Sequence, residues 1–180
     1  MNILILGAGQ VGSTAAYSLA KEKSNEVTIV DSSFNALRDL QDRLDVRTIT
    51  GHGAHPEVLK KAGAKEADIL IALTDSDEVN IVACEVASKL FNIPTRIARI
   101  RAAEYINHNE LFTKDAIAVD VPISPEELVT DHITELLRFP GALQVLEFAK
   151  GKVRLVAALA RKGGALIGHP LKDMAELIPN

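Results

Sequence analysis

Six residues near the amino end, Gly7-Ala8-Gly9-Gln10-Val11-Gly12, constrain this chain more than any other feature. They follow at once on an apolar run, Asn2–Leu6, and open a segment in which Val11, Ala15 and Leu19 recur at four-residue spacing, widened by Ala16 and Ala20. Strand, glycine-rich turn and amphipathic helix, in that order, form the context in which a G-x-G-x-x-G hexad holds a dinucleotide. Gly7 permits the tight turn, Gly9 lets backbone approach a pyrophosphate, and Gly12 lets helix and strand pack closely. Gln10 and Val11 stand where a helix leaves its first N–H groups without intrahelical acceptors, an end that favours phosphate. Asp31 closes the next apolar run, at the usual distance of about 20 residues. A carboxylate there accepts both ribose hydroxyls of an adenosine and repels a 2′-phosphate, so NAD is expected over NADP.

The first 120 or so residues go on alternating short apolar runs with helical patterns, a grouping of ordinary domain size. The runs lie at 2–6, 27–31, 46–50, 68–73, 95–100 and 116–119, and they are rich in Ile, Val and Leu on both faces. Strands covered by helices on both sides read this way. Leu37, Leu40 and Leu44 repeat the helical stripe between the second and third runs. A β-α-β-α order implies right-handed crossovers and a doubly wound, Rossmann-like parallel α/β sheet, here assigned to residues 1–123.

Beyond residue 119 the text changes. Pro122 and Pro125 punctuate the chain, and Ser124 can cap a helix opening at Pro125. That helix carries Leu128, Val129, Ile133, Leu136 and Leu137, which span about half its circumference and call for burial against more than the sheet. Phe139-Pro140-Gly141 breaks it, and a second helix is expected over 142–149. Residues 124–150 therefore read as a helix–turn–helix, either a dimerisation arm or an ordinary closing helix. From residue 151 the pattern turns to β, with a strand over 153–160, a turn at 161–164, a second strand at 165–168 and a helix over 171–177. Two strands and a short helix make a poor core alone, so residues 151–180 read as the start of a small, truncated α+β lobe.

Three more loops fall at carboxyl ends of expected strands, where such sheets take ligands. Gly51-His52-Gly53-Ala54 leaves room for an adenine ring. Thr74-Asp75-Ser76-Asp77 follows the fourth strand, and Thr74 with Asp77 resembles a capping box; Asp77 reads as a helix cap or as a ligand contact. Asn80 lies one turn further on. Arg99 and Arg101 bracket the end of the fifth strand, either reaching phosphates or standing as a solvated pair.

Composition narrows the function classes. A formal charge of −4 gives no reason to expect nucleic acid, whose phosphates attract basic surfaces. One cysteine, Cys84, excludes an internal disulfide framework and a cysteine-rich zinc site. No apolar run reaches the roughly 20 residues a bilayer core needs, and no basic n-region precedes the first strand, so a cytoplasmic protein is expected. His52 and His55 flank a proposed ligand loop, but two further metal ligands are not evident. His132 reads as packing or interface and Cys84 as core. A G-x-x-x-x-G-K-[ST] loop is absent, which excludes a P-loop NTPase. Without an acid–base set beside a nicotinamide, the residues favour a nucleotide sensor over an enzyme. The alternatives are a small NAD-dependent oxidoreductase or its cofactor domain, and a redox-sensing repressor, which would need a DNA-reading helix and a basic patch.

Five ordered motifs carry a family resemblance: the glycine hexad, Asp31, the stretch Gly51-His52-Gly53-Ala54-His55-Pro56-Glu57-Val58-Leu59, the stretch Ala72-Leu73-Thr74-Asp75-Ser76-Asp77-Glu78-Val79-Asn80, and Arg96-Ile97-Ala98-Arg99-Ile100-Arg101. Together they resemble the RCK (KTN) nucleotide-binding domains in their Trk-type form, over the whole chain. Many RCK domains carry an acid where His52 stands. The resemblance implies NAD(H) in the cleft, with ATP or ADP as further ligands. It implies a homodimer paired through a crossover helix–turn–helix matching 125–149, and two such modules in tandem. The implied partner is a membrane potassium-translocating subunit of the Trk type, gated by ligand-dependent rearrangement, which would hold the protein at the inner face of the membrane.

Overall fold

A computed structural model describes residues 1–113, 116–139, 141–149, 152–160 and 167. The chain divides into two compact units, Met1–Pro125 and Glu126–Asn180. In the first, β1 (Asn2–Leu6), β2 (Glu26–Asp31), β3 (Arg47–Thr50), β4 (Ile69–Ala72), β5 (Thr95–Arg99) and β6 (Val121–Ile123) alternate with α1 (Gln10–Ala20), α2 (Phe34–Gln41), α3 (Pro56–Lys61) and α4 (Asp77–Phe91). A short α5 (Ala103–Ile106) and a 3-10 turn (Asn109–Phe112) lie between β5 and β6. The strands pair in parallel in the order β3-β2-β1-β4-β5-β6. β2 and β3 lie to one side of β1, and β4, β5 and β6 to the other. The reversal of winding between β1 and β4 opens a crevice at their carboxyl ends.

Both faces of the sheet are buried because consecutive strand residues point opposite ways. Ile3 and Ile5 join Ala16, Val27, Ile29, Leu37 and Leu40 beneath α1 and α2. Leu4 and Leu6 join Leu59, Leu70, Ala83, Cys84 and Ile93 beneath α3 and α4. Cys84 has no exposed surface, and burial pushes its thiol up to about 12. The thiolate is the nucleophile. Native protein at pH 8 is therefore expected to leave Cys84 unmodified by iodoacetamide while denatured protein reacts fully, as intact mass would read.

The sixth strand lies later than expected. Residues 116–119 form a bend pinned at several points: Ala118 N donates to Glu85 Oε1 (2.6 Å), Val119 N to the Ile117 carbonyl (2.8 Å) and Asp120 N to the Arg96 carbonyl (2.9 Å). Val119 is buried as an apolar strand residue would be, so its hydrophobicity alone misplaces the strand. Pro122 then sits inside β6. It is tolerated because β6 pairs only with β5, at an edge where a missing N–H breaks no ladder on the free side.

The second unit departs further from expectation. α6 (Pro125–Arg138) is present, but the helix expected over 142–149 is instead β7 (Ala142–Phe148), paired antiparallel with β8 (Val153–Ala158). A short apolar run does not declare helix or strand locally, and the partner strand decides it. Glu147 faces Arg154 across the hairpin, and Arg154 Nε donates to Glu147 Oε1 at 2.9 Å. The helix–turn–helix over 124–150 is thus a helix followed by a strand. On α6 the apolar stripe is exposed: Leu128, Val129, Ile133 and Leu137, the last at 75%. The turn at 161–164, the strand at 165–168 and the helix over 171–177 fall outside the described residues, Ile167 apart. No helix among the described residues is long and apolar enough to cross a membrane.

Candidate functional site

The glycine hexad folds as its spacing requires, and each glycine answers to different atoms. Gly7 has φ +100°, and its N–H donates to the Val30 carbonyl at 2.8 Å. A Cβ on Gly7 would lie 2.7 Å from the Leu73 carbonyl oxygen, so the turn threads between the ends of β2 and β4. A Cβ on Gly12 would lie 1.9 Å from the Gly7 carbonyl oxygen, which sets how closely α1 approaches β1. Gly9 differs: a Cβ there would meet nothing within 4 Å. Its open side belongs to a cleft of about 480 Å³ lined by Gly7, Gly9, Gln10, Val11, Asp31 and residues of three further loops.

The amino end of α1 is left bare by the chain. Gly9 offers no side-chain cap, and the first turn holds no acidic residue. α4 contrasts: Ser76 Oγ accepts from Val79 N at 3.3 Å, and Asp77 and Glu78 fill its first turn. The Glu78 carboxyl is held below the usual range by its own backbone N–H and by the Ser76 hydroxyl. Where α4 neutralises its own helix dipole, α1 presents free donors and partial positive charge to the cleft.

Asp31 stands at the carboxyl end of β2 and is engaged on both oxygens. Oδ2 accepts from Ala8 N at 2.6 Å and Oδ1 from Ser33 N at 2.7 Å. The carboxylate therefore ties the glycine turn to the loop after β2 while it lines the cleft. Gly51, His52 and Gly53 line it from the loop after β3, Thr74 and Asp75 from the loop after β4, and Arg99 from the end of β5. Val30, Ser32, Leu73 and Val79 also line it. Ser32 was within reach of sequence reasoning, since it follows Asp31 at a strand's carboxyl end, where ligands bind in such sheets.

Three expected residues lie elsewhere. Gly12 acts behind the cleft, as a packing position. Asn80 has no exposed surface. Its Oδ1 accepts from Thr74 N (3.0 Å) and Thr74 Oγ1 (2.7 Å), and its Nδ2 donates to the Thr74 carbonyl (3.3 Å) and the Arg99 carbonyl (2.9 Å). It staples the ends of β4 and β5 beneath the cleft, and all its polar capacity goes to that. Arg101 turns to Asp77, with Nε 3.7 Å from Oδ1, and its guanidinium also donates to the Asp75 carbonyl. A buried carboxylate demands partners, and Asp77 draws in Arg101 together with the Arg101 and Ala102 backbone N–H groups, both at 2.8 Å. The capping box read from Thr74 and Asp77 is likewise replaced by Ser76.

Chemistry beyond binding has few candidates here. His52 and His55 stack, with centroids 4.6 Å apart. No group of three or more His, Cys, Asp or Glu among the described residues is arranged to hold a metal. Tyr17 and Lys21, four residues apart at the end of α1, form a cation–π pair (Nζ 4.1 Å from the ring centroid) and do not line the cleft.

Residues 3–125 match the TrkA-N domain family. The chain belongs to the TrkA-N family. The resemblance carried by the five motifs is thereby borne out. Over all 180 residues it is 52% identical to the Trk system potassium uptake protein TrkA of Halomonas elongata and covers 39% of that protein. The chain thus spans about two fifths of the length of the curated relatives it matches. Among solved structures it is similar to the TrkA-N domain of the inner membrane protein ybaL from Escherichia coli, with a TM-score of 0.62 at 21% identity, covering 76% of this chain and 96% of that one. It is also similar to the GsuK channel bound to NAD, with a TM-score of 0.56 at 20% identity, covering 69% of this chain and 21% of that one. These two establish the fold of the TrkA-N unit.

Proposed function

We propose that the TrkA-N unit binds NAD(H), with ATP or ADP as alternative occupants. We further propose that it belongs to a cytoplasmic regulatory subunit acting on a membrane potassium-translocating partner. The observation that carries this reading is convergence: the glycine turn, the bare end of α1, Asp31 and the loops after β3 and β4 meet in one cleft. Phosphates lie on the turn and the α1 amino end, the adenosine ribose on Asp31, and Arg99 sits at the β5 side. The relative's name, a potassium uptake protein, and the neighbour's bound NAD support the same reading.

Occupancy, with no bond broken, is the output. A ligand shifts an equilibrium only by its differential affinity for two arrangements, and two copies paired through the exposed stripe of α6 supply an element with two arrangements. The test is calorimetric titration of NADH and ATP into the intact protein, followed by potassium flux in vesicles holding the membrane subunit. Saturable binding with a nucleotide-dependent flux is expected. Absence of binding sinks the cleft assignment, and binding with unaltered flux sinks the regulatory one.

A further inference from the structure

We infer that His52 and His55 form a stacked base-recognition platform, in which His52 contacts the adenine ring and His55 is the positioning residue that holds it. The inference rests on the nucleotide reading of the cleft and adds the element that recognises the base. Gly51 and Gly53 are tied by packing: a Cβ on Gly51 would meet Val58 at 2.7 Å, and one on Gly53 would meet Leu6 at 3.3 Å. The loop between them is therefore fixed, and His52 is the one residue of the three with a side chain to offer. His52 lines the cleft and His55 does not, so His52 is the cleft-side ring of the stack. The backbone N–H of Ala54 approaches His52 Nδ1 at 3.4 Å, which leaves Nε2 as the ring's donor position.

His55 shows a local rule broken. It is the N-cap of α3, with extended backbone (φ −81°, ψ 124°), yet it makes no side-chain cap bond. Serine, threonine, aspartate or asparagine normally stands there, because a short oxygen-bearing side chain accepts a first-turn N–H. An imidazole in that place forgoes the cap, and its ring lies against His52 at an interplanar angle of 28°. The geometry exchanges helix capping for support of a cleft-lining aromatic. An aromatic face held in one orientation is what stacking on a nucleobase uses.

The test compares His55→Ser and His55→Phe with the unmodified protein, using AMP as the probe. Three quantities are read: the dissociation constant, the hypochromism of the adenine absorption band and the melting temperature. The chain lacks tryptophan, which keeps that band clear. His55→Ser restores a capping side chain, so its melting temperature should hold or rise. Its AMP affinity should nevertheless fall roughly fivefold or more, with hypochromism reduced, given the usual strength of base–aromatic stacking. His55→Phe should keep both near the original. Unchanged AMP affinity in His55→Ser overturns the inference, as does weaker binding with full hypochromism. Unmodified protein that binds no AMP overturns the adenine reading of the cleft and the platform with it.

Discussion

Gly12→Ala is expected to lower the unfolding free energy by about 3 kcal/mol, while Gly9→Ala leaves it within about 1 kcal/mol of the original. The new methyl at position 12 lies 1.9 Å from the Gly7 carbonyl oxygen. That oxygen belongs to a turn held by a hydrogen bond from Gly7 N to Val30 and by a φ of +100°. Neither side can yield cheaply, so α1 must tilt away from β1 and open the packing of Ala16 against Ile3 and Ile5. The gain in helix propensity from alanine, about 1 kcal/mol, is too small to offset this. At position 9 the methyl meets no atom of the chain, and φ −68°, ψ −173° is ordinary backbone. A poorer N-cap and a stiffer unfolded chain then nearly cancel. The same methyl occupies the space assigned to pyrophosphate, so NADH affinity should drop at least about tenfold, a cost of roughly 1.4 kcal/mol. Thermal melting and NADH calorimetry on both variants separate the two roles. Equal losses of stability would show that Gly9 serves the fold and not the ligand.

The sheet was legible because its signals are redundant. Apolar runs covered on both faces, four-residue helical stripes and a glycine turn in its proper place all point to one topology, and β1 through β5 stand where the runs are. The errors fall where one signal stood alone. Val119 is buried and apolar but sits in a bend, because Glu85 and Arg96, from distant parts of the chain, fix its neighbours Ala118 and Asp120. The run 142–148 has no local feature that separates strand from helix, and its pairing with Val153–Ala158 is invisible to any window that spans one of them.

The site was legible by the same measure. Most residues placed by the end-of-strand rule, from Gly7 to Arg99, line the cleft, whereas Asp77 and Arg101, placed by the same rule, do not. Asn80 and Arg101 stand near the cleft by position in the sequence, but buried polar and charged groups must be satisfied first. Asn80 spends itself on Thr74 and Arg99, and Arg101 on Asp77. Sequence spacing places a residue near a cleft, whereas burial and partner demand decide whether its polar atoms face it.

Asp31 joins both demands, and its replacement carries the larger functional effect. Two of the roughly four acceptor positions on its carboxylate are taken by Ala8 and Ser33, which leaves two for ribose hydroxyls. Charge-assisted bonds contribute about 1.5–3 kcal/mol each. Asp31→Ser is therefore expected to weaken NADH binding about 100-fold, by some 3 kcal/mol. It should also destabilise the fold by about 1–2 kcal/mol, since the Ala8 N–H must then turn to water. A loss of affinity alone would not distinguish these effects. The decisive quantity is the ratio of NADH to NADPH affinity, because both ligands require the same folded turn and differ only at the 2′-phosphate. The unmodified protein should favour NADH strongly, as a carboxylate at the ribose repels that phosphate. In Asp31→Ser the ratio should approach one, measured by calorimetry at a temperature where denaturant titration shows the variant folded. An identical ratio in both proteins would remove Asp31 from the ribose and leave it only the structural bonds to Ala8 and Ser33.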